Sequence, residues 1–124
     1  MSAIKTIIDK SIGALAGVTP ENLTPAQLDR SLSILQTTNV NNAIDDYWDS
    51  LPEKPENENE IPNWENENHK RGNEINHNLK LLNEELNRIK RMQDALNIPQ
   101  LDTLIHAAQE VIRPLYDFSA QLSS

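Results

Sequence analysis

A regular pattern of apolar positions lies in the C-terminal half of the chain, between Asn73 and Asn97. Large apolar side chains recur there at spacings of four and three residues, which places them along one face of a helix. We call this row the seam, and its members are Ile75, Leu79, Leu82, Leu86, Ile89 and Leu96. Gln93 interrupts the row, so a polar residue there either sets the register of a coiled coil or marks where the seam opens to solvent. Because an apolar stripe is unfavourable in water, the seam predicts a packing partner.

The segment that follows can supply this partner. Asn97 suits the end of the long helix and Pro99 the first position of a new one. Apolar residues continue at helical spacing from Leu101 to Leu122, although Pro114 within this run predicts a kink or a restart. Residues 65–124 therefore predict a long antiparallel helical hairpin.

The N-terminal part, residues 1–51, predicts three short amphipathic helices. An isoleucine-rich stripe indicates the first helix over residues 2–16. Thr24 and Pro25 are typical of a second helix start, and this helix is expected to fray near residues 37–38. A third helix is expected from about residue 40 until Pro52 stops it.

Between these two parts, residues 52–64 read as an acidic linker rich in proline, glutamate and asparagine. Ile61 and Trp64 are its only large apolar residues, so we expect an exposed and mobile segment. No alternating pattern predicts a strand. The whole sequence therefore predicts an all-α fold: one domain, a small bundle of four or five helices dominated by the C-terminal hairpin.

Charge is distributed unevenly along the chain. The formal net charge is −8. Residues 41–67, which we call the acidic segment, hold nine carboxylates against Lys54 alone, an excess equal to the whole net charge. Such acidity argues against nucleic acid and anionic membranes as partners and favours a basic protein.

Aromatic residues stand within the acidic segment, and they make it the candidate binding site. Aromatic side chains give large contact areas at low entropic cost, and surrounding carboxylates can steer a basic partner. The predicted partner-binding residues are Asp45, Asp46, Tyr47, Trp48, Asp49 and Trp64. The alternative is that Tyr47 and Trp48 belong to the core, although adjacent helical residues cannot both point straight inward.

Residues for other chemistry are sparse. The chain has no cysteine, so it offers no thiol nucleophile and no disulfide. Glu74 and His77 have the spacing of a di-iron bundle motif, and Asp102, His106 and Glu110 share one helical face. A second pair with the required spacing is missing, so we predict neither a metal nor another cofactor. A signal peptide or membrane-spanning stretch is not visible, which favours a cytoplasmic protein.

Three hypotheses about function follow from the sequence. The leading one is a non-enzymatic binding protein, such as an inhibitor, an immunity protein or an adaptor, that engages a basic protein through the acidic aromatic patch. The second is a structural component that forms homo-oligomers by pairing the seam between chains. The third is a carboxylate–histidine metalloprotein.

Overall fold

The C-terminal hairpin forms as the apolar pattern predicts. In the computed structural model, which describes residues 3–123, helix α4 spans Ile61–Leu96 and helix α5 spans Pro99–Ser123. The two helices pack against each other and are joined by a two-residue turn. Met1, Ser2 and Ser124 lie outside the described residues, and so does the predicted start of the first helix at residue 2.

Three residues shape the turn of the hairpin. Asn97 adopts a left-handed conformation with φ of 54° and ends α4, as expected for this residue type at a helix C-terminus. Pro99 begins α5. The side-chain oxygen of Gln93 accepts a hydrogen bond from the backbone N–H of Ile98 at 2.9 Å. The polar residue in the seam therefore caps the turn. Helix α5 continues through Pro114 without a restart.

Three shorter helices precede the hairpin: α1 (Ala3–Ala16), α2 (Pro25–Ile34) and α3 (Thr37–Ser50). The hydroxyl of Thr24 accepts a hydrogen bond from the backbone N–H of Gln27 at 3.1 Å, which confirms the predicted helix start. Thr37 and Thr38 were predicted to fray the end of α2, and this is wrong because they form the first turn of α3. Within residues 3–123 the fold is all-α, with five α-helices.

The seam is buried within a single chain. Ile75, Leu79, Leu82, Leu86 and Ile89 belong to the hydrophobic core, and α4 packs on both α1 and α5. Pairing this seam with another chain would require those two helices to leave it.

Leu96 was predicted as the last seam residue, and this assignment is wrong. Leu96 is 43% exposed, and Met92 is the last buried residue of the helix instead. Leu96 is the last residue of α4, at the tip of the hairpin, and the next buried residue is Leu101. A side chain in this position lies beyond the buried residues of α5 that cover the seam, so it remains exposed.

The predicted linker also needs correction, because the second half of residues 52–64 is helical. A single 3-10 turn spans Glu58–Glu60, and α4 already begins at Ile61. Pro62 does not prevent this, since the first helical turn needs no donor from proline. The connection without regular helix is therefore limited to residues 51–57.

Gly72 is a point of close packing between α4 and α5. A Cβ atom on Gly72 would lie 2.9 Å from the carbonyl oxygen of Ser119 and 3.2 Å from the Cβ of Leu122. The last described turn of α5 thus rests directly on Gly72. Residues 61–71 extend α4 by about three further turns beyond this contact. These extra turns, the end of α3 and the connection 51–57 enclose the candidate site.

Candidate functional site

A groove lies at the end of the bundle where α3, the connection 51–57, the first turns of α4 and the last turn of α5 meet. Its volume is about 580 Å³. We call it the tryptophan groove, because Trp48 from α3 and Trp64 from α4 both line it. These are the two tryptophans of the entire chain. The structure therefore brings together two predicted site residues that are separated by sixteen positions.

Trp48 presents much of its indole to solvent. The side chain is 43% exposed, and one side of it packs on Phe118 with ring centroids 4.9 Å apart. Phe118 itself is only 2% exposed, so the indole rests on a rigid part of the core. An exposed aromatic that is held on a buried one is suited to binding, because little side-chain entropy remains to be lost.

Tyr47 also packs on Phe118. Its ring meets Phe118 edge-on, with centroids 5.3 Å apart and an interplanar angle of 78°. Tyr47 is half-buried, whereas Trp48 is exposed. The two adjacent aromatics thus divide their roles: Tyr47 joins α3 to α5, and Trp48 faces the groove.

Trp64 is fixed by a hydrogen bond across the connection. Its Nε1–H donates to the carbonyl oxygen of Pro52 at 2.9 Å, and the residue is half-buried. This bond links the first turn of α4 to Pro52, the second residue after α3. It holds both the indole and the connection in place on one wall of the groove.

Charged side chains surround the two indoles. Glu53, Lys54 and Glu65 all line the groove and are exposed. His69 contributes to the same wall. All nine carboxylates of the acidic segment are exposed except the half-buried Glu67. Glu67 pairs with Lys70 at 3.4 Å.

The three aspartates of the predicted site do not line this groove. Asp45, Asp46 and Asp49 are exposed on α3. Asp46 lines a different cavity of about 390 Å³, to which α1, the C-terminal end of α2 and residues 39–46 of α3 contribute. The predicted patch is therefore divided into an indole-lined groove and a separate carboxylate surface on α3.

Tyr47 lines a further cavity of about 310 Å³, to which Arg71 and Glu74 also contribute. Burial raises the pKa of Tyr47 above its ordinary value. The guanidinium of Arg71 lowers this pKa, and the carboxylate of Glu74 raises it, by smaller amounts. This phenol is neutral at physiological pH.

The candidate metal ligands do not assemble. Residues 3–123 contain no group of three or more histidine, cysteine, aspartate or glutamate side chains placed to hold one ion. Glu74 with His77 and Asp102 with His106 and Glu110 therefore remain separate surface features.

Several residues of the site, Glu65 among them, were missed in the sequence. Phe118 supports both aromatics, and its spacing from Leu115 and Leu122 is the helical spacing that should have revealed it. Glu53 and Lys54 line the groove, but no local pattern could show that their connection folds back to Trp64.

Comparison with known proteins gives no family assignment. No family model matches the chain, and the searches of curated proteins and of solved structures found no significant match. Within the described part of the chain, no helix is both long enough and apolar enough to cross a membrane. The geometry of the groove is therefore the basis for a functional proposal.

Proposed function

We propose that this protein is a non-enzymatic binding module that engages another, basic protein through the tryptophan groove. An inhibitor, an immunity protein and an adaptor are all members of this class. The observation that carries the proposal is the 43% exposure of Trp48 in a groove that it shares with Trp64. Tryptophan is among the residues most enriched at binding hot spots, particularly in pockets that a partner can dry completely.

Charge supports a basic partner. The net charge of −8 arises from the acidic segment, which includes both tryptophans and two groove-lining carboxylates, Glu53 and Glu65. Carboxylates at the rim of an apolar site accelerate encounter with a cationic surface and disfavour anionic competitors. The separate surface formed by Asp45, Asp46 and Asp49 extends the same field along α3.

The mechanism that we propose is docking without chemistry. Trp48 would supply the buried contact area, and Trp64 and Pro52 would keep the opposite wall in a fixed position. A preorganised site loses less free energy on binding than one whose loops must first become ordered.

Affinity capture from the source cells tests this proposal. Trp48→Ala removes the indole, and Leu81→Ala is the matched control, since Leu81 is 45% exposed on a different part of α4. We expect a discrete partner to be captured by the wild type and by Leu81→Ala and lost with Trp48→Ala. Circular dichroism must show that both variants keep the helical content of the wild type. Equal capture by all three proteins would refute the role of the groove.

A further inference from the structure

The tryptophan groove offers two kinds of surface that one chemical group can use together. Trp48 and Trp64 provide aromatic rings, and Glu53 and Glu65 provide carboxylates. The indole N–H of Trp64 already donates to Pro52, so a ligand can stack on the faces of this ring but cannot accept a hydrogen bond from it. A neutral aliphatic ligand would leave the carboxylates unused, and an anionic ligand would be repelled by them.

A cation with a flat, weakly hydrated body fits both surfaces. The guanidinium of arginine stacks on aromatic faces and pairs with carboxylates through parallel hydrogen bonds. The ammonium of lysine is a more strongly hydrated point charge and stacks less well. We propose that the tryptophan groove recognises an arginine side chain of the partner, held against the indoles and beside Glu53 and Glu65. This inference rests on the proposed binding function and specifies the group that is bound.

The size and charge of the groove favour an arginine from a different protein. A volume of about 580 Å³ accommodates one long side chain together with part of the backbone that carries it. Two copies of this chain would each bring a net charge of −8 to the contact and repel each other. A basic partner is attracted by the same field.

Lys54 provides a test of sign. It lines the groove as a cation, so it opposes the entry of another cation. Removing its charge should therefore strengthen arginine binding, whereas removing the charges of Glu53 and Glu65 should weaken it. A groove that binds only through apolar contact would respond to neither change.

Intrinsic fluorescence measures occupancy of this site directly, because the only two tryptophans of the chain both line the groove. The 124-residue chain is titrated with an oligoarginine peptide, with oligolysine of equal length and with uncharged oligocitrulline of equal length. We expect oligoarginine to change the tryptophan emission and to bind about tenfold more tightly than oligocitrulline, with oligolysine between them.

Two double variants separate the groove from general acidity. Glu53→Gln with Glu65→Gln and Asp45→Asn with Asp46→Asn remove the same number of charges, but only the first pair lines the groove. We expect the first to weaken oligoarginine binding about two- to fivefold and the second to have a smaller effect. Lys54→Gln should tighten binding about twofold. All four carboxylates are exposed, so these variants should fold normally.

Three results would overturn the inference: equal binding of the arginine and citrulline peptides, unchanged tryptophan emission at saturating oligoarginine, or equal effects of the two double variants. If the protein associates with itself and oligoarginine abolishes this association, the inference would also be overturned. A second copy of the chain would then be the occupant of the groove. These outcomes can be distinguished from failure of the proposed function. If the proposed function is wrong, the proteins captured by the wild type will also be captured by Trp48→Ala.

Discussion

The indole N–H of Trp64 donates to the carbonyl oxygen of Pro52 across 2.9 Å, and this bond closes the connection between α3 and α4. It joins residues twelve positions apart in the chain. One wall of the tryptophan groove depends on it, since Pro52, Glu53 and Lys54 lie on the connection and Trp64 on the helix.

Trp64→Phe tests this bond while it keeps an aromatic ring. A hydrogen bond of this kind contributes about 1 kcal/mol, so its loss should populate open forms of the connection roughly fivefold more often. Cleavage after Glu53 or Glu56 by a glutamate-specific protease should accelerate accordingly. Trp48→Phe is the control, because it retains a ring on Phe118 and leaves the bond intact. Equal cleavage rates for the two variants would show that the bond does not hold the connection.

The close approach of the hairpin at Gly72 predicts a loss of stability in Gly72→Ala. The added methyl would press on the Ser119 carbonyl oxygen, which belongs to helical backbone and cannot move aside easily. We expect a loss of about 1–3 kcal/mol in denaturant unfolding, despite the better helix propensity of alanine.

Gly13→Ala is the matched control, since a Cβ at Gly13 meets nothing within 4 Å. This substitution lies inside an exposed part of α1 and should stabilise the protein by about 0.5–1 kcal/mol. The two identical chemical changes should therefore have opposite signs. Stabilisation by both would mean that α4 and α5 do not meet at Gly72.

Arg88 on α4 forms hydrogen bonds with the C-terminal end of α1 and the residues that follow it. Its guanidinium donates to the carbonyl oxygens of Leu15 at 2.7 Å and Val18 at 3.0 Å and pairs with Glu85 at 2.9 Å. Arg88→Ala should cost about 1–3 kcal/mol in the free energy of unfolding, because it leaves two carbonyls without their charged donor. Arg91→Ala, an exposed position on the same helix, should change stability by less than about 0.5 kcal/mol. Similar losses for both variants would contradict this role of Arg88.

The Tyr47 phenol predicts a decline in stability at alkaline pH. Its pKa is raised in the folded protein, chiefly by burial, so the native state retains the proton longer than the unfolded chain does. The contribution is complete below the unfolded pKa of about 10 and is lost as the pH rises through the higher folded pKa.

An ultraviolet absorbance titration of a Tyr116→Phe background isolates Tyr47, since the chain has two tyrosines. Arg71→Gln should raise the pKa of Tyr47 further, and Glu74→Gln should lower it. A pKa of Tyr47 at or below the ordinary tyrosine value would contradict its position between α3 and α5.

The parts of the fold that local pattern determines were predicted well. The spacing of Ile75, Leu79 and Leu82 predicts a buried helical face, and Asn97 followed by Pro99 predicts the turn. The start of α4 was placed too late because the acidic, proline-containing composition of residues 52–64 argues for disorder, whereas a contact with Pro52 helps to order it. Such a long-range bond leaves no trace in local sequence.

The candidate site shows the same limit. Trp48 and Trp64 were selected because of residue type and neighbouring charge, but their meeting in one groove depends on how the connection folds. Tyr47 and Trp48 looked equivalent in sequence, but in the structure Tyr47 is half-buried and Trp48 is exposed in the groove, although both rings contact Phe118. Tertiary packing therefore determines which of the two adjacent side chains on α3 is buried, and the sequence alone does not reveal it.

Photo-crosslinking in the source cells tests the central claim, that the tryptophan groove binds another protein, most directly. A photoreactive phenylalanine analogue replaces Trp48 in one sample and Leu81 in the other, two positions of nearly equal exposure at 43% and 45%. We predict a discrete adduct with a basic protein from position 48 and none from position 81. The absence of a discrete adduct at position 48, or the same adducts from both positions, would contradict the claim.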